Sequence, residues 1–387
     1  MIKTIVQINL IFILCFLLIF LAGCWDTASI EDRGFIVGSA IDIEKNSSSE
    51  LSITNQMVLP AGMVYPSQGG GGDEAFLNFT SKSDSIYKVD EEIVSQSSKQ
   101  PFYEHLAVLV ISEDVAKEEK LFRNLLDTYI RDVDVRRGVK VVVSKGPAKE
   151  LLDFTTPEDK LPTIHIDKIL EHGDKQVGAI TPVTVGDLEE YHILDVSYVL
   201  PYFEVKEVVE QKQGAVYHGR ENKMVGLFTE DEMHGLELMI GKQQVSIINF
   251  PFHDQPLAIK VIRMHRHMTV DPSNLENIKV NIKVEFEGTI KESFMQHELI
   301  DPKELEQIKR AVAENVKTNM EKVIEKGQKE FGTDVFDVWK EMKTKHYDTW
   351  VKVKDDWEQG ENYFQNVTFN IEVSPQIYSI GTTNKTS

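Results

Sequence analysis

The chain holds two cysteines, Cys15 and Cys24, and their placement limits how any fold can be held together. Lys3 precedes an unbroken apolar run, Leu10 to Leu21, which closes on Leu21-Ala22-Gly23-Cys24. A basic start, an apolar stretch and a small-residue ending are the parts of an export signal. Leucine, two small residues and cysteine make the lipobox pattern, in which the thiol takes a diacylglyceryl group and the peptide is cut in front of it. The expectation is a signal peptide at 1–23 and lipid attachment at Cys24. An uncleaved anchor is the alternative. It would have to reach back to Ile5 across Gln7 and Asn9 to approach the ~20 apolar residues of a spanning helix, and it has no use for the small-small-Cys ending. Two or more acyl chains hold a protein stably at a bilayer, where one binds reversibly. With Cys15 discarded, Cys24 is the sole mature cysteine. No intramolecular disulfide is then available, although an exported chain could form one. Stability rests on apolar burial and, at this length, on more than one core.

Charge excludes some partners. The formal net charge is −20, and the leader carries Lys3 and no acid, so its loss makes the balance one unit more negative. Phosphate backbones are bound by clustered Lys and Arg, so the reading is no nucleic acid. A basic patch gripping anionic lipid is disfavoured for the same reason.

Phe35 to Ile43 and Leu51 to Leu59 are β-rich around a polar turn and read as a hairpin. Gly69-Gly70-Gly71-Gly72 marks a loop. No Lys-Ser/Thr pair follows it, so it is not a phosphate cradle. Strand and helix then alternate: a strand at 75–80, a helix at 84–97, the apolar strand His105 to Ser112, a helix from Glu113 to Tyr129, and the strand Val139 to Val143. Apolar strands separated by helices indicate a β-α-β region buried on both faces. Helical pieces follow from Pro147, near Ile164 and near Val183, and a strand runs from about Val196 to Val209. A second unit opens near Gly214 with a hairpin about the turn His218 to Asn222. Thr229-Glu230-Asp231-Glu232 is a capping box. Three β-rich stretches, 244–250, 257–269 and 278–293, precede the strongest helix, which starts at Asp301-Pro302-Lys303-Glu304. Its apolar stripe is Leu305, Ile308, Val312, Val316, Met320 and Val323. A helical stretch from Val335 to Asp356 and strands at 364–373 and 377–381 close the chain. The fold class expected is therefore α/β and α+β multidomain. An N-terminal β-hairpin plus β-α-β region precedes a mostly antiparallel C-terminal sheet with long helices packed on one face. The segments expected are 1–23 as signal peptide, 24–74 as lead-out and hairpin, 75–210 as the α/β domain and 211–387 as the α+β domain.

Candidate chemistry is sparse. His265 and His267 share a strand face, and with His253 they could approach a zinc site, which needs three or four ligands. Solvated surface histidines are the simpler reading. The run Arg131 to Arg137 could bind an anion or form an ion-pair network at a helix-strand joint. Trp350 and Trp357 are seven apart in a helical stretch with Trp339, as core or as a partner-facing patch. No Gly-x-Ser-x-Gly elbow is present, and the one mature thiol is lipid-linked. The reading is no enzyme, no cofactor and no metal.

Several stretches taken in order resemble one family. Leu21-Ala22-Gly23-Cys24-Trp25-Asp26, Ile30-Glu31 and Gly38-Ser39-Ala40-Ile41-Asp42 are similar to the N-terminus of the Ger(x)C spore germination lipoproteins. His105 to Glu113, Tyr129-Ile130-Arg131-Asp132 with Arg136, Gly214-Ala215-Val216-Tyr217 and Lys223 to Leu227 with Glu232 follow in family order. Phe331 to Phe336 is similar only loosely. The resemblance implies three α/β-type domains, no catalytic residues and lipid attachment at Cys24. It implies the C subunit of a nutrient germinant receptor, on the outer face of the inner spore membrane. Its partners there would be an integral-membrane subunit with large soluble domains (A-type) and a transporter-like one (B-type). Direct contact with the germinant is left open. A solute-binding lipoprotein is the alternative, and it would need two similar lobes around a cleft.

Overall fold

In the computed structural model the described residues are 29–44, 51–63, 74–83, 86–119, 121–132, 134–172, 181–241, 247–293 and 302–378. Cys24, the leader and the glycine run 69–72 lie outside them.

The first half is built on a ten-stranded sheet. β1 (Arg33–Ile43) and β2 (Leu51–Val58) form the expected antiparallel hairpin, with Ile43 opposite Leu51. β3 (Phe76–Ser83) continues it outward. After helix α1 (Ile86–Gln96) and the short β4 (Gln100–Phe102), strand β5 (Val108–Ser112) lies parallel to β1. β6 (Lys140–Ser144) lies parallel to β5. All five residues of β5 are buried, as a strand covered on both faces requires. The helix expected at 113–129 is two helices, α2 (Glu113–Lys117) and α3 (Leu121–Arg131), with Glu118 extended between them. The charged residues Lys117, Glu118 and Glu119 offer no apolar side chain to a buried face, so the turn there has nothing to hold it.

Helices α4 (Ala148–Asp153) and α5 (Pro162–Glu171) cover one face of this sheet, with Leu151, Leu152 and Ile166 fully buried. The short β7 (Val183–Thr184) leads into α6 (Val185–Leu194), and β8 (Tyr198–Val205) joins β6 in parallel. β9 (Val209–His218) and β10 (Lys223–Phe228) then add antiparallel strands to the same sheet, whose order is β10-β9-β8-β6-β5-β1-β2-β3. Residue 210 therefore sits inside β9 of the larger sheet.

Helix α7 (Glu230–Ile240) starts at the capping box. The Thr229 side chain takes the Glu232 N–H, and the Glu232 carboxylate takes the Thr229 N–H. The second sheet has the order β11-β12-β13-β14. β11 (Ile247–Phe252), β12 (Gln255–Asp271) and β13 (Lys279–Ser293) are antiparallel neighbours. A long helix, α8 (Pro302–Lys326), crosses over, and β14 (Thr368–Tyr378) returns parallel to β13. A parallel return needs such a crossover. The two closing strands expected are thus one, and Phe364 lies before it, the buried residue of a 3-10 turn. Ile308, Val312, Val316, Met320 and Val323 of α8 pack in the same core as Val280, Ile282, Val284 and Phe286 of β13. Each such side chain contributes roughly 1.5–3 kcal/mol of burial. That core also takes in Val196, Val199, Val216 and Phe228 from the far end of the larger sheet. No described helix is long and apolar enough to cross a membrane.

Helices α7 and α8 cross closely at Gly235, where an added Cβ would come within 2.4 Å of the Asn319 carbonyl oxygen and 2.6 Å of Val323. Backbone on α8 cannot move aside without parting the helices. Gly235→Ala is therefore expected to destabilise the protein by about 1–3 kcal/mol, the usual range for overpacking. A lower midpoint in urea unfolding checks this, and an unchanged midpoint would remove the steric account.

Candidate functional site

The features singled out in the sequence do not converge. His265 and His267 lie on the solvated face of β12, opposite Glu285 and Lys283. His253 sits in the β11–β12 turn, ten or more residues along the strand, roughly 30 Å away at the usual rise. Among the described residues no group of three or more His, Cys, Asp or Glu is placed to hold a metal. The arginine run does make ion pairs, but not internally. Arg131 pairs with Asp127 at 2.7 Å and Arg137 with Glu189, while Asp132 accepts from the Asp134 N–H. Trp339, Trp350 and Trp357 are all buried, and Trp350 and Trp357 meet edge to face at 5.7 Å.

What the structure brings together is a buried polar junction between the two sheets. It starts at the end of α8, where a π-turn, Gly327–Phe331, widens the last turn and Gly332 ends it with a left-handed φ of 65°. This sets Asp334 in front of α9 (Val338–Lys345), and Asp334 is fully buried. Its Oδ1 accepts from the N–H of Phe336 at 3.1 Å and of Val338 at 3.3 Å. Its Oδ2 accepts from the N–H of Trp339 at 2.6 Å and from the Trp357 indole at 3.0 Å. Two of these donors belong to the first turn of α9, so Asp334 supplies the partners that a helix start lacks, at the end where negative charge is favoured. The helix expected at 335–356 begins only at Val338 for this reason. It breaks at His346, after which come α10 (Tyr347–Val353) and a 3-10 turn, Lys354–Asp356.

Glu358 follows that turn and is 8% exposed. Its Oε1 accepts from the Asp334 N–H at 2.6 Å, and its Oε2 accepts from the Ser197 hydroxyl at 2.6 Å. Ser197 directly precedes β8, and its Oγ also accepts the N–H of Gly219 at 3.1 Å. A side chain at Gly219 would collide with the Val196 backbone at 2.3 Å, so glycine permits this close approach. The chain Gly219–Ser197–Glu358–Asp334 thus runs from the β9–β10 turn to the C-terminal helices. An outer pair seals it: Arg220 reaches the Asp355 carboxylate at 2.7 Å and its carbonyl at 2.5 Å. From the opposite side Arg123 grips the same turn, bonding Asn222 at 3.1 Å, Asp195 at 3.3 Å and the His192 carbonyl at 3.2 Å.

Burial sets the charge state of the junction. It pushes Asp334 up to about 6 against the pull of the Trp357 and backbone hydrogen bonds. It pushes Glu358 up to about 8, with the Ser197 bond pulling down and the Asp334 charge adding to the rise. Near neutral pH one buried negative charge, on Asp334, stands beside a protonated Glu358. His192 is pushed down to about 4 by burial and by Arg123, so it is neutral, and its Nε2 lies 3.1 Å from the Tyr198 hydroxyl. A separate cleft of about 440 Å³ opens between α7, β11 and α8, lined by Glu232, His234, Ile247, Asn315 and Lys322 among others. Of its acids, Glu232 is paired with Lys326 at 2.8 Å.

Asp334 and Glu358 escaped sequence reading. Each is an acid in apolar and aromatic surroundings, Asp334 before Val335-Phe336 and Glu358 after Trp357, and that setting is the only local sign.

The architecture is that of a two-sheet α/β protein whose sheets are joined through buried carboxyls. Comparison with known proteins gives the family. Residues 26–205 match the model described as spore germination protein N-terminal domain, and residues 212–381 match that described as spore germination B3/GerAC like, C-terminal. The chain belongs to the Ger(x)C family of spore germination proteins. It is 24% identical to spore germination protein YndF of Bacillus subtilis (strain 168), over 95% of this chain and 96% of that one. It is 25% identical to spore germination protein B3 of the same organism, over 96% and 98% of the two chains. The crystal structure of the GerBC protein shares the fold, with a TM-score of 0.60 and 18% identity, covering 90% of this chain and 99% of that one.

Asp334→Asn replaces an acceptor oxygen by an NH2 group and leaves at least one buried N–H without a partner. The expected loss is about 1–3 kcal/mol per orphaned donor. Denaturant unfolding followed by tryptophan emission measures it, and wild-type stability would show that the four bonds are dispensable.

Proposed function

We propose that this chain is the lipid-tethered, non-catalytic subunit of a spore nutrient germinant receptor. It is held by Cys24 on the outer face of the inner spore membrane. There it serves as a scaffold for two integral-membrane partners, the A-type and B-type subunits, and relays the ligand-bound state between them. The observation that carries this reading is the family match from residue 26 to residue 381, which begins just after the lipobox cysteine. The joined architecture suits a scaffold, because a body with a shared core and a buried polar junction transmits a load applied at either end. The solute-binding alternative needs two similar lobes about a cleft. Here a ten-stranded mixed sheet faces a four-stranded one, and they share no topology.

The tether is tested by Cys24→Ala. The variant is expected to leave the membrane fraction and to blunt the response of spores to nutrient. Normal membrane retention together with normal germination would overturn the tethered reading.

A further inference from the structure

We propose that the Ser197–Glu358–Asp334 junction is a protonation-controlled clasp. With a proton on Glu358 it holds the β9–β10 turn against the C-terminal helices, and loss of that proton releases the turn. The geometry supplies the reason. Glu358 and Asp334 are both buried and linked through the Asp334 N–H, so a second negative charge would stand beside the first with no cation in contact. A buried like-charge pair resists double ionisation.

Neighbouring groups offer little relief. From the β9–β10 turn, Arg220 faces the pair but is committed to Asp355 at the surface. His218 is neutral because burial pushes it down. Its Nδ1 accepts the Glu221 N–H at 3.2 Å, and the ring also bonds the Glu358 backbone, so taking a proton would break an existing bond. Glu221 and Lys223 lie at the outer side of that turn and pair with each other at 3.0 Å. From β12, Arg266 points its Nε to the Met239 carbonyl at 2.6 Å and answers the acids Asp334, Asp337 and Glu341 together. From the helical side, Asp337 adds negative charge near Asp334.

The contacts differ in how readily they part. Asp334 is held by donors within the local segment 336–357, four bonds in all. The Ser197–Glu358 bond spans 161 residues of chain and is one hydrogen bond between the units, with the Arg220–Asp355 pair beside it. If Glu358 ionises in place, its carboxylate stands without water beside Asp334, and the Ser197 donor offsets only part of that cost; parting at the β9–β10 turn admits water to the new carboxylate. The sign follows from linkage. Glu358 binds its proton more tightly folded than unfolded, so its contribution is complete below the ordinary carboxyl value. That contribution declines as pH rises from about 4.5 to about 8 and is flat above.

The test uses the full chain. Hydrogen exchange of peptides covering 195–222 and 334–362, corrected for the intrinsic base-catalysed rate, is followed between about pH 6 and about pH 9.5, with Trp357 emission in parallel. Wild type is expected to lose protection in 195–222 by about tenfold or more, with a midpoint near 8, while far-UV dichroism holds. Glu358→Gln, whose amide mimics the protonated acid, is expected to stay protected throughout. Ser197→Ala removes the bond from Glu358 to the turn, so protection in 195–222 is expected to be lowered across the whole range and the transition to flatten. A wild type with no transition in this range overturns the clasp. So does a Glu358→Gln protein that shows the same transition, or a Ser197→Ala protein that keeps the wild-type protection and transition.

Discussion

Two carboxyl groups buried side by side are the constraint around which the rest of this molecule is arranged. A carboxylate removed from water needs donors, and Asp334 has four of them, three backbone N–H groups at 336–339 and the Trp357 indole. Supplying those donors fixes where α9 begins, how Trp357 is oriented and how the π-turn at 327–331 must end. Glu358 then has only one N–H left to accept, that of Asp334 itself, and completes its bonding across the molecule at Ser197. A buried polar network of this kind contributes little to net stability compared with an apolar substitute. It does fix one relative placement of its parts, and that is the use proposed for it here.

The apolar architecture brings those groups together. The stripe on α8 seats the helix on the four-stranded sheet, and the glycine at 235 lets α7 approach it. Because α7 follows directly from β10, the crossing of α7 and α8 ties the end of the ten-stranded sheet to the second sheet. The shared core of Val196, Val216 and Phe228 with the α8 residues closes the gap between them. The β9–β10 turn is thereby presented to the C-terminal helices, with Arg123 behind it and Glu358 in front.

Much of the fold was legible in the sequence. The hairpin at 33–58, the buried strands at 108–112 and 140–144, the capping box at Thr229 and the α8 stripe all stand where periodicity and capping chemistry place them, because each is decided by residues within a few turns. Three features were not legible. The joining of β9 and β10 to the first sheet is a choice of edge, made at long range by β8. The breaks at Glu118 and His346 depend on what each helix packs against. The junction needs Ser197 and Glu358, 161 residues apart, and nothing in either neighbourhood names the other. Histidines two apart on β12 drew attention because their spacing is local, and a lysine across the ladder at 283 faces one of them instead of a third ligand.

The coupling of the two sheets through this junction is tested most directly by a double-mutant cycle on unfolding free energy with Ser197→Ala and Glu358→Met, which each remove the bond between them, measured near pH 6. A coupled pair gives an interaction energy of about 1 kcal/mol or more, within the range seen for residues in one hydrogen-bond network. Additive effects within about 0.3 kcal/mol, the behaviour of independent sites, would contradict it.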